Sequence, residues 1–344
     1  MRKLNEENER TKRAYIRYLE ETKGKDNKTT DKVLAALLEY DESTNFKSFK
    51  KFHIDDAVRF KRYLDKAKNA RTGKPLSHST IDATLRLVKA FFVWLVRRTG
   101  FKKVLSYADC EYFNNTAKKA RIAHTQRDIP YPSMEQARHA FQAMPNVTDF
   151  EKRDKAAFAL FMLTGIRDGA AASLRLKHIN LDEGEVFQDA REVKTKNGKT
   201  IYSWFFPVDD VYRPCFEDWV RYLRSEKLFG PSDALFPKAL MSNKGGGFVV
   251  VGLSRKPYAN ASKLNQTIRN AFAMVQLHEY TPHSFRKTLF LYADEVCTTM
   301  QEKKAWSMNL GHENLATSIN AYMPVDRNRQ RDLIRGLGRG DLAA

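Results

Sequence analysis

The sequence predicts a mainly α-helical protein with a small β component: a helical N-terminal domain followed by an α/β domain. Apolar residues recur at three- and four-residue steps over residues 79–98, as on one face of a helix. The 344 residues include only 16 glycines and 11 prolines, which disfavours a turn-rich all-β fold. Asn197-Gly198, between two β-prone runs, indicates a hairpin in the second half of the chain.

The first 120 residues form the predicted helical domain, with about four helices. Apolar side chains line one face of residues 6–21 and 55–68, and Ser79 is expected to cap the helix of residues 79–98. A basic, polar segment with two prolines follows, which is typical of a connection between domains. The sequence therefore predicts a helical domain over residues 1–120, a basic linker over 121–132 and a second domain over 133–344.

The second domain combines helices with the predicted hairpin. Ser133 and Gln136 have the spacing of a capping box at the start of its first helix. Strands are expected over residues 186–195 and 200–208, and a loop over 230–263. The helices expected in this domain cover residues 133–144, 149–163, 212–227, 261–276, 283–297, 302–310 and 316–322.

The charge of the chain points to its partner. Lys and Arg number 60 against 41 Asp and Glu, a formal net charge of +19. An excess of this size favours nucleic acid as a partner over a chain that is merely basic. No apolar stretch approaches the ~18 residues of a membrane span, and the charged first residues lack a signal core. Three widely spaced cysteines without a CxxC pair fit a reduced, cytoplasmic setting.

Five short motifs carry residues that suit phosphate chemistry. They are Thr164-Gly165-Ile166-Arg167, Lys194 beside the Asn-Gly turn, His283 with Arg286, Leu310-Gly311-His312, and Tyr322. Taken singly, each is more often a surface charge, a helix cap or a packed side chain. The glycine run at residues 245–247 lacks the Lys-Ser/Thr of a phosphate-binding loop. The pair His278 and His283 lacks acidic or cysteine partners, so neither a cofactor nor a metal is expected.

The order of these motifs resembles that of the tyrosine recombinase (phage integrase) family over residues 133–335. The resemblance implies a DNA-clamping core-binding (SAM-like) domain at the N-terminus and an α/β catalytic domain after it. It also implies a site-specific recombinase or integrase of mobile genetic elements, which cleaves and rejoins DNA through a covalent 3′-phosphotyrosine intermediate without metal or ATP. The catalytic residues that it implies are Arg167, Lys194, His283, Arg286, His312 and Tyr322.

These residue types suit that chemistry. The two arginines are forked, permanently charged donors for the non-bridging oxygens of a phosphate. The tyrosine would attack phosphorus, and the lysine would protonate the departing 5′ oxygen. The two histidines would bond the phosphate and help to move the tyrosine proton.

Two assignments stay open. Lys194 is preferred as the general acid because Lys-Thr before the turn resembles the family's pattern, with Lys196 and Lys199 as alternatives. On a strand, Lys194 and Lys196 would share a face. Ala170 stands where the family usually has an acidic residue, and Asp168, next to the first arginine, is given no role.

The expected partner is double-stranded DNA at attachment or recombination sites, bound by a homotetramer on the bacterial nucleoid and assisted by DNA-bending proteins. No membrane partner is expected. The basic tail after Tyr322 is expected either to pack on a neighbouring subunit or to fray. Two other functions remain open: a type IB topoisomerase-like enzyme, and a non-catalytic DNA-binding protein with the same fold. A metal-dependent nuclease is disfavoured because the sequence lacks clustered carboxylates.

Overall fold

The computed structural model describes residues 4–70, 72–125, 130–244 and 247–312. Within these ranges the chain forms mostly α-helices with a few short strands, which confirms the predicted fold class. The chain divides into two compact units, Met1–Arg127 and Asp128–Ala344.

The first unit is helical throughout its described part. Its helices are α1 (Glu6–Glu21), α2 (Asn27–Ser43), α3 (Ile54–Lys66), α4 (His78–Val96), α5 (Tyr107–Cys110) and α6 (Ala117–His124). The core between them is rich in aromatic rings. Tyr40 packs edge-on against Phe60 and Phe92, with centroid distances of 5.3 and 5.1 Å. Such pairs stabilise a core beyond the area that they bury.

Two features of this unit differ from the sequence prediction. The N-cap of α4 is Ser77, whose Oγ accepts from the backbone N–H of Thr80 at 3.1 Å, so the cap predicted at Ser79 is wrong. Helix α6 extends through His124, so the first four residues of the predicted linker are helical. Thr116 caps this helix, because its Oγ1 accepts from the backbone N–H of Lys119, the third residue of α6.

The second unit contains the remaining helices and all the strands of the described chain. Its helices are α7 (Met134–Ala143), α8 (Asp149–Thr164), α9 (Asp168–Ala171), α10 (Tyr212–Ser225), α11 (Ser262–Met274), α12 (Pro282–Val296) and α13 (Met300–Asn309). Strands β1 (Ile179–Asn180), β2 (Glu185–Gln188) and β3 (Ile201–Trp204) form an antiparallel sheet in that order. Strands β4 (Pro237–Lys244) and β5 (Gly247–Pro257) form a separate antiparallel pair.

Helix α8 is the centre of the core of this unit. Residues 156–164 are all buried, which explains why this stretch is apolar around its whole circumference. The predicted capping box of Ser133 and Gln136 is confirmed at the start of α7. Gly165 ends α8 with a left-handed backbone conformation, φ 57°, that favours glycine. The chain therefore leaves a rigid, buried helix just before Arg167.

The predicted hairpin exists, but its strands are shorter than expected. Strands β2 and β3 pair only as far as Gln188 opposite Ile201. A turn then ends the ladder, because the carbonyl oxygen of Asp189 accepts from the backbone N–H of Val193 at 2.7 Å. Residues 189–200 are thus a connection, so the strand on which Lys194 and Lys196 were expected to share a face is wrong.

The segment predicted as a loop over residues 230–263 contains strands β4 and β5, so that prediction is wrong as well. Residues 247–251 are all exposed, with Phe248 at 76%. A ribbon with solvent on both faces has no alternation of buried and exposed positions, which is the pattern that predicts a strand. The sequence signal was missing for that reason.

Three features are absent from the described residues. No helix there is long and apolar enough to cross a membrane. None of the three cysteines forms a disulfide. No group of three or more His, Cys, Asp or Glu side chains in these residues could hold a metal ion.

Candidate active site

Helix α12 carries two of the predicted site residues, His283 and Arg286, on one face, because they are three residues apart. Its first turn is fixed by Pro282 and by a capping box in which the backbone N–H of Thr281 donates to Ser284 Oγ at 3.2 Å. The Arg286 side chain is buried, with 2% of the residue exposed, whereas His283 is exposed. The helix thus presents one histidine at the surface above a buried arginine.

Arg286 joins three segments that are distant in sequence. Its Nη1 donates to the carbonyl oxygen of Gly165 at 2.5 Å, after the end of α8. Its Nη2 donates to the carbonyl oxygen of Leu310 at 2.6 Å and lies 2.7 Å from His312 Nε2. A buried charge needs such partners, because leaving it without them costs several kcal/mol. The predicted motifs around residues 165, 286 and 312 therefore meet at this guanidinium.

Close packing at two glycines brings Arg167 to the same place. Gly311 has φ 72°, and a Cβ there would lie 2.9 Å from Ile201 Cδ1 and 3.5 Å from Arg167 Nη1. Gly165 has φ 57°, and a Cβ there would overlap Leu310 Cδ2. Both glycines are required by backbone conformation and by space. Their absence of side chains lets Arg167 approach the segment that carries His312.

His312 is held in its neutral form. A guanidinium only donates hydrogen bonds, so His312 Nε2 accepts from Arg286, and the ring proton lies on Nδ1. Burial, followed by the charges of Arg286, Arg167 and Lys196, lowers the pKa of His312 to about 4. At neutral pH this ring is an acceptor at Nε2 and a donor at Nδ1.

The His312 contact predicts a pH dependence of stability. A histidine whose pKa is lowered from 6.5 to about 4 on folding binds fewer protons in the folded state between these values. Its contribution is present above pH 6.5 and is lost as the pH falls towards 4. We expect the urea-unfolding free energy to fall between pH 6.5 and 4 more steeply for the wild type than for His312→Gln, which keeps an acceptor. Equal slopes would contradict a neutral, buried His312.

His283 lies in the field of the same groups. Partial desolvation lowers its pKa most, followed by the positive charges of Arg286, Arg167 and Lys196. The carboxylate of Asp168 acts in the opposite direction. His283 is therefore neutral at pH 7 as well, and it is accessible to a ligand from solvent.

The three candidate lysines occupy different surroundings. Lys194 Nζ donates to the carbonyl oxygen of Ala259 at 2.9 Å, and its backbone N–H donates to Ser173 Oγ at 2.9 Å. Lys196 is exposed, and its charge lowers the pKa of both site histidines. Lys199 is half-buried, two residues before β3. Lys196 thus contributes to the lowered pKa of both histidines, whereas the ammonium of Lys194 donates to a backbone carbonyl oxygen in the segment before α11.

One contact at the site was missed by sequence reasoning. Asn265 Nδ2, on α11, donates to Asp168 Oδ2 at 2.7 Å. Asp168 was noted beside Arg167 without a role, and Asn265 had no signal, because a polar residue on an amphipathic helix is ordinarily solvated. A separation of almost a hundred residues hides such a pair from local pattern analysis.

Tyr322, the predicted nucleophile, and the predicted helix and tail around it lie outside the described residues. The described chain ends at His312, which is ten residues before this tyrosine in the sequence. Five of the six predicted site residues therefore have a described position.

Comparison with known proteins assigns the family. The phage integrase family model matches residues 133–329, more than half of the chain. The chain belongs to the phage integrase family. The tyrosine recombinase XerC of Halalkalibacterium halodurans is a relative of this integrase-family protein. The two sequences are 22% identical over 263 residues, which is 75% of each protein. The predicted family is thereby confirmed.

Solved structures of integrases share the fold. A lambda integrase dimer bound to a COC′ core site has a TM-score of 0.60 at 12% identity, with 90% of this chain and 96% of that chain covered. The Tn1549 transposon integrase in complex with transposon right end DNA has a TM-score of 0.56 at 13% identity, covering 94% and 98%. A lambda integrase tetramer bound to a Holliday junction has a TM-score of 0.57 at 13% identity, covering 89% and 77%.

Proposed function

We propose that the chain is a site-specific DNA recombinase that cleaves and rejoins strands through a covalent 3′-phosphotyrosine intermediate. The observation that carries this proposal is the meeting of the motif segments at one buried guanidinium, that of Arg286. Membership of the phage integrase family supports it. So does the net charge of +19, which suits a polyanionic substrate.

In the proposed reaction the phenol oxygen of Tyr322 attacks the phosphorus of the scissile phosphodiester. The bond from this oxygen to phosphorus forms, and the bond from phosphorus to the 5′ oxygen breaks. Arg167 and Arg286 neutralise the charge that develops on the non-bridging oxygens, which is the task of preorganised donors in such a site. One ester replaces another, so the proposed cycle consumes no ATP and assigns no step to a metal.

The histidines have complementary roles in this scheme. His283, neutral and exposed, accepts the phenol proton or bonds a non-bridging oxygen of the phosphate. His312 uses Nε2 to hold Arg286 and keeps its Nδ1 proton for donation. A neutral pair at pH 7 suits proton acceptance and donation better than two imidazolium groups beside two arginines.

We assign the general acid for the departing 5′ oxygen to Lys196 rather than to Lys194. The ammonium of Lys194 donates to the carbonyl oxygen of Ala259, which occupies one of its protons and fixes its direction. The charge of Lys196 acts on both histidines, which supports a position near the reacting phosphate. Lys194 remains in the proposal as a residue that holds the connection between β2 and β3.

The proposed substrate is duplex DNA with two recombination sites, and the proposed working unit is a homotetramer. The lambda integrase tetramer on a Holliday junction, which has the same fold, supports this arrangement. DNA-bending accessory proteins and a C-terminal tail that packs on a neighbouring subunit complete the proposal. Binding that rests on phosphate contacts falls steeply as salt rises.

Covalent trapping tests the proposed function. The purified full chain is incubated in EDTA with DNA fragments from its own coding region and flanks, and protein–DNA adducts that resist SDS and are digested by protease are counted. We expect adducts from the wild type and from Tyr112→Phe, a change at an exposed tyrosine in the 3-10 turn after α5, and none from Tyr322→Phe.

The alternatives give different results in this assay. Adducts that persist in Tyr322→Phe would contradict the assigned nucleophile. Salt-sensitive binding to every fragment without an adduct would indicate a non-catalytic DNA-binding protein. In a separate assay on supercoiled plasmids, relaxation without site preference would favour a type IB topoisomerase-like enzyme.

A further inference from the structure

A carboxylate, that of Asp168, belongs to the group of charges that act on His283. Asp168 is the first residue of α9, directly after Arg167, and it is partly buried. Of the charges that most affect His283 in the described chain, those of Arg286, Arg167 and Lys196 are positive, and that of Asp168 alone is negative. A single negative charge among these cations changes the field at the histidine more than a surface carboxylate would.

This carboxylate is fixed in direction at both oxygens. Oδ1 accepts from the backbone N–H of Gly169 at 2.8 Å, and Oδ2 accepts from Asn265 Nδ2 at 2.7 Å. Asn265 is itself oriented, because the same Nδ2 donates to the carbonyl oxygen of Ala261 at 3.1 Å. The amide is therefore held by its own helix and holds the carboxylate in turn.

The helix that supplies this amide also touches the site through its preceding segment. Ala259, three residues before α11, accepts from Lys194 Nζ at 2.9 Å. The stretch from residue 259 to 265 thus bonds both the corner after α8 and the connection between β2 and β3. A single short segment sets the positions of two loops that carry proposed catalytic residues.

We propose that Asp168 and Asn265 are a positioning pair, in which Asn265 fixes the Asp168 carboxylate so that its charge holds His283 and the adjacent Arg167 in their working arrangement. Neither residue bonds the substrate or takes up a proton in the reaction. Asp168 acts through His283, and Asn265 acts through Asp168. This inference rests on the proposed recombinase function, since it assigns the pair to that active site.

The pair has a measurable consequence for His283. Desolvation and the charges of Arg286, Arg167 and Lys196 lower the pKa of His283, whereas the charge of Asp168 raises it. His312 is the other histidine at the site whose pKa is lowered. Removing the negative charge therefore lowers the pKa of His283 further. If the neutral imidazole is the active form, the acid limb of the pH–rate profile moves to lower pH.

The first arm of the test measures the pKa of His283 by NMR in the full chain without DNA, with His283→Gln to assign the signal. The variants are Asp168→Asn, which keeps the shape and removes the charge, and Asn265→Ala. Gln266→Ala is the matched control, because Gln266 is the next residue of α11, is exposed and bonds Asn270 on its own helix. We expect a lower pKa in Asp168→Asn, a smaller lowering in Asn265→Ala, and none in the control. An unchanged pKa in Asp168→Asn would overturn the proposal.

The second arm measures the rate of adduct formation against pH at saturating DNA. We expect Asn265→Ala to reduce the rate at pH 7 about three- to tenfold, and to have no further effect in the Asp168→Asn background, because the amide acts only through the carboxylate. Additive effects, or loss of thermal stability without a shifted pH profile, would mean a merely structural contact and would overturn the pairing. If no variant and no wild type forms an adduct, the proposed function fails, while the NMR arm still decides whether the pair controls His283.

Discussion

Arg286→Lys is expected to reduce the rate of covalent adduct formation by about 10²–10³-fold, the usual cost of losing one preorganised donor. Lysine keeps the positive charge but offers one nitrogen where the guanidinium reaches the carbonyl oxygens of Gly165 and Leu310 and the ring of His312. A single ammonium cannot satisfy these acceptors and a phosphate together. The rate is measured in a single turnover with protein in excess over DNA.

The same substitution is expected to lower the unfolding free energy by about 1–3 kcal/mol, because it leaves a buried carbonyl oxygen without a donor. Arg269→Lys is the matched control, since Arg269 lies exposed on α11. Urea unfolding of both variants shows whether a slower cleavage rate comes from the active site or from a less stable fold. A normal cleavage rate in Arg286→Lys would contradict the role given to this residue.

Lys196→Ala is expected to slow cleavage by about 10²–10⁴-fold, the range for removal of a general acid. Lys194→Ala is expected to have a much smaller effect, because the ammonium of Lys194 donates to the backbone carbonyl oxygen of Ala259, whereas Lys196 is among the charges that most lower the pKa of both histidines. The measurement is adduct formation on two substrates: ordinary DNA, and DNA in which sulfur replaces the bridging 5′ oxygen at the scissile phosphate.

The sulfur substrate makes this comparison specific for proton donation. A thiolate leaves without protonation, so the defect of Lys196→Ala is expected to disappear on that substrate, whereas a defect in phosphate binding would persist. Should Lys194→Ala instead show the defect that sulfur removes, the general acid would be Lys194, as the sequence pattern favours. This outcome would mean that Lys194 protonates the 5′ oxygen even though its ammonium donates to the carbonyl oxygen of Ala259 in the structure.

The glycine-containing motifs were the most informative part of the sequence. Gly165 and Gly311 each precede a predicted site residue at a short, fixed distance, and the structure gives both a positive φ and no room for a Cβ. Glycine is the residue type that readily adopts a positive φ, so such a backbone requirement can be recognised from the residue type without knowledge of the fold. The same holds for His283 and Arg286, because helical spacing alone puts them on one face.

The lysine connection is the opposite case. Asn197-Gly198 correctly indicated a turn, with φ values of 61° and 63°, but it did not indicate where the strands end. The ladder stops at Gln188 because Asp189 starts a separate turn, and this choice depends on hydrogen bonds formed after folding. The direction of each lysine follows from that choice.

The sequence by itself determined the mainly helical fold class, the family and the N-terminal helical unit, and it predicted a set of site residues, of which Arg167, His283, Arg286 and His312 are described and interact. These conclusions depend on periodicity, capping and glycine, which act within a few residues of the chain. The tertiary structure alone decided that Arg286 is buried among three segments, that Lys194 bonds the carbonyl oxygen of Ala259, and that Asn265 donates to Asp168. Those facts depend on contacts across a hundred or so residues, whose energies are set by burial and distance, and neither quantity exists until the chain has folded.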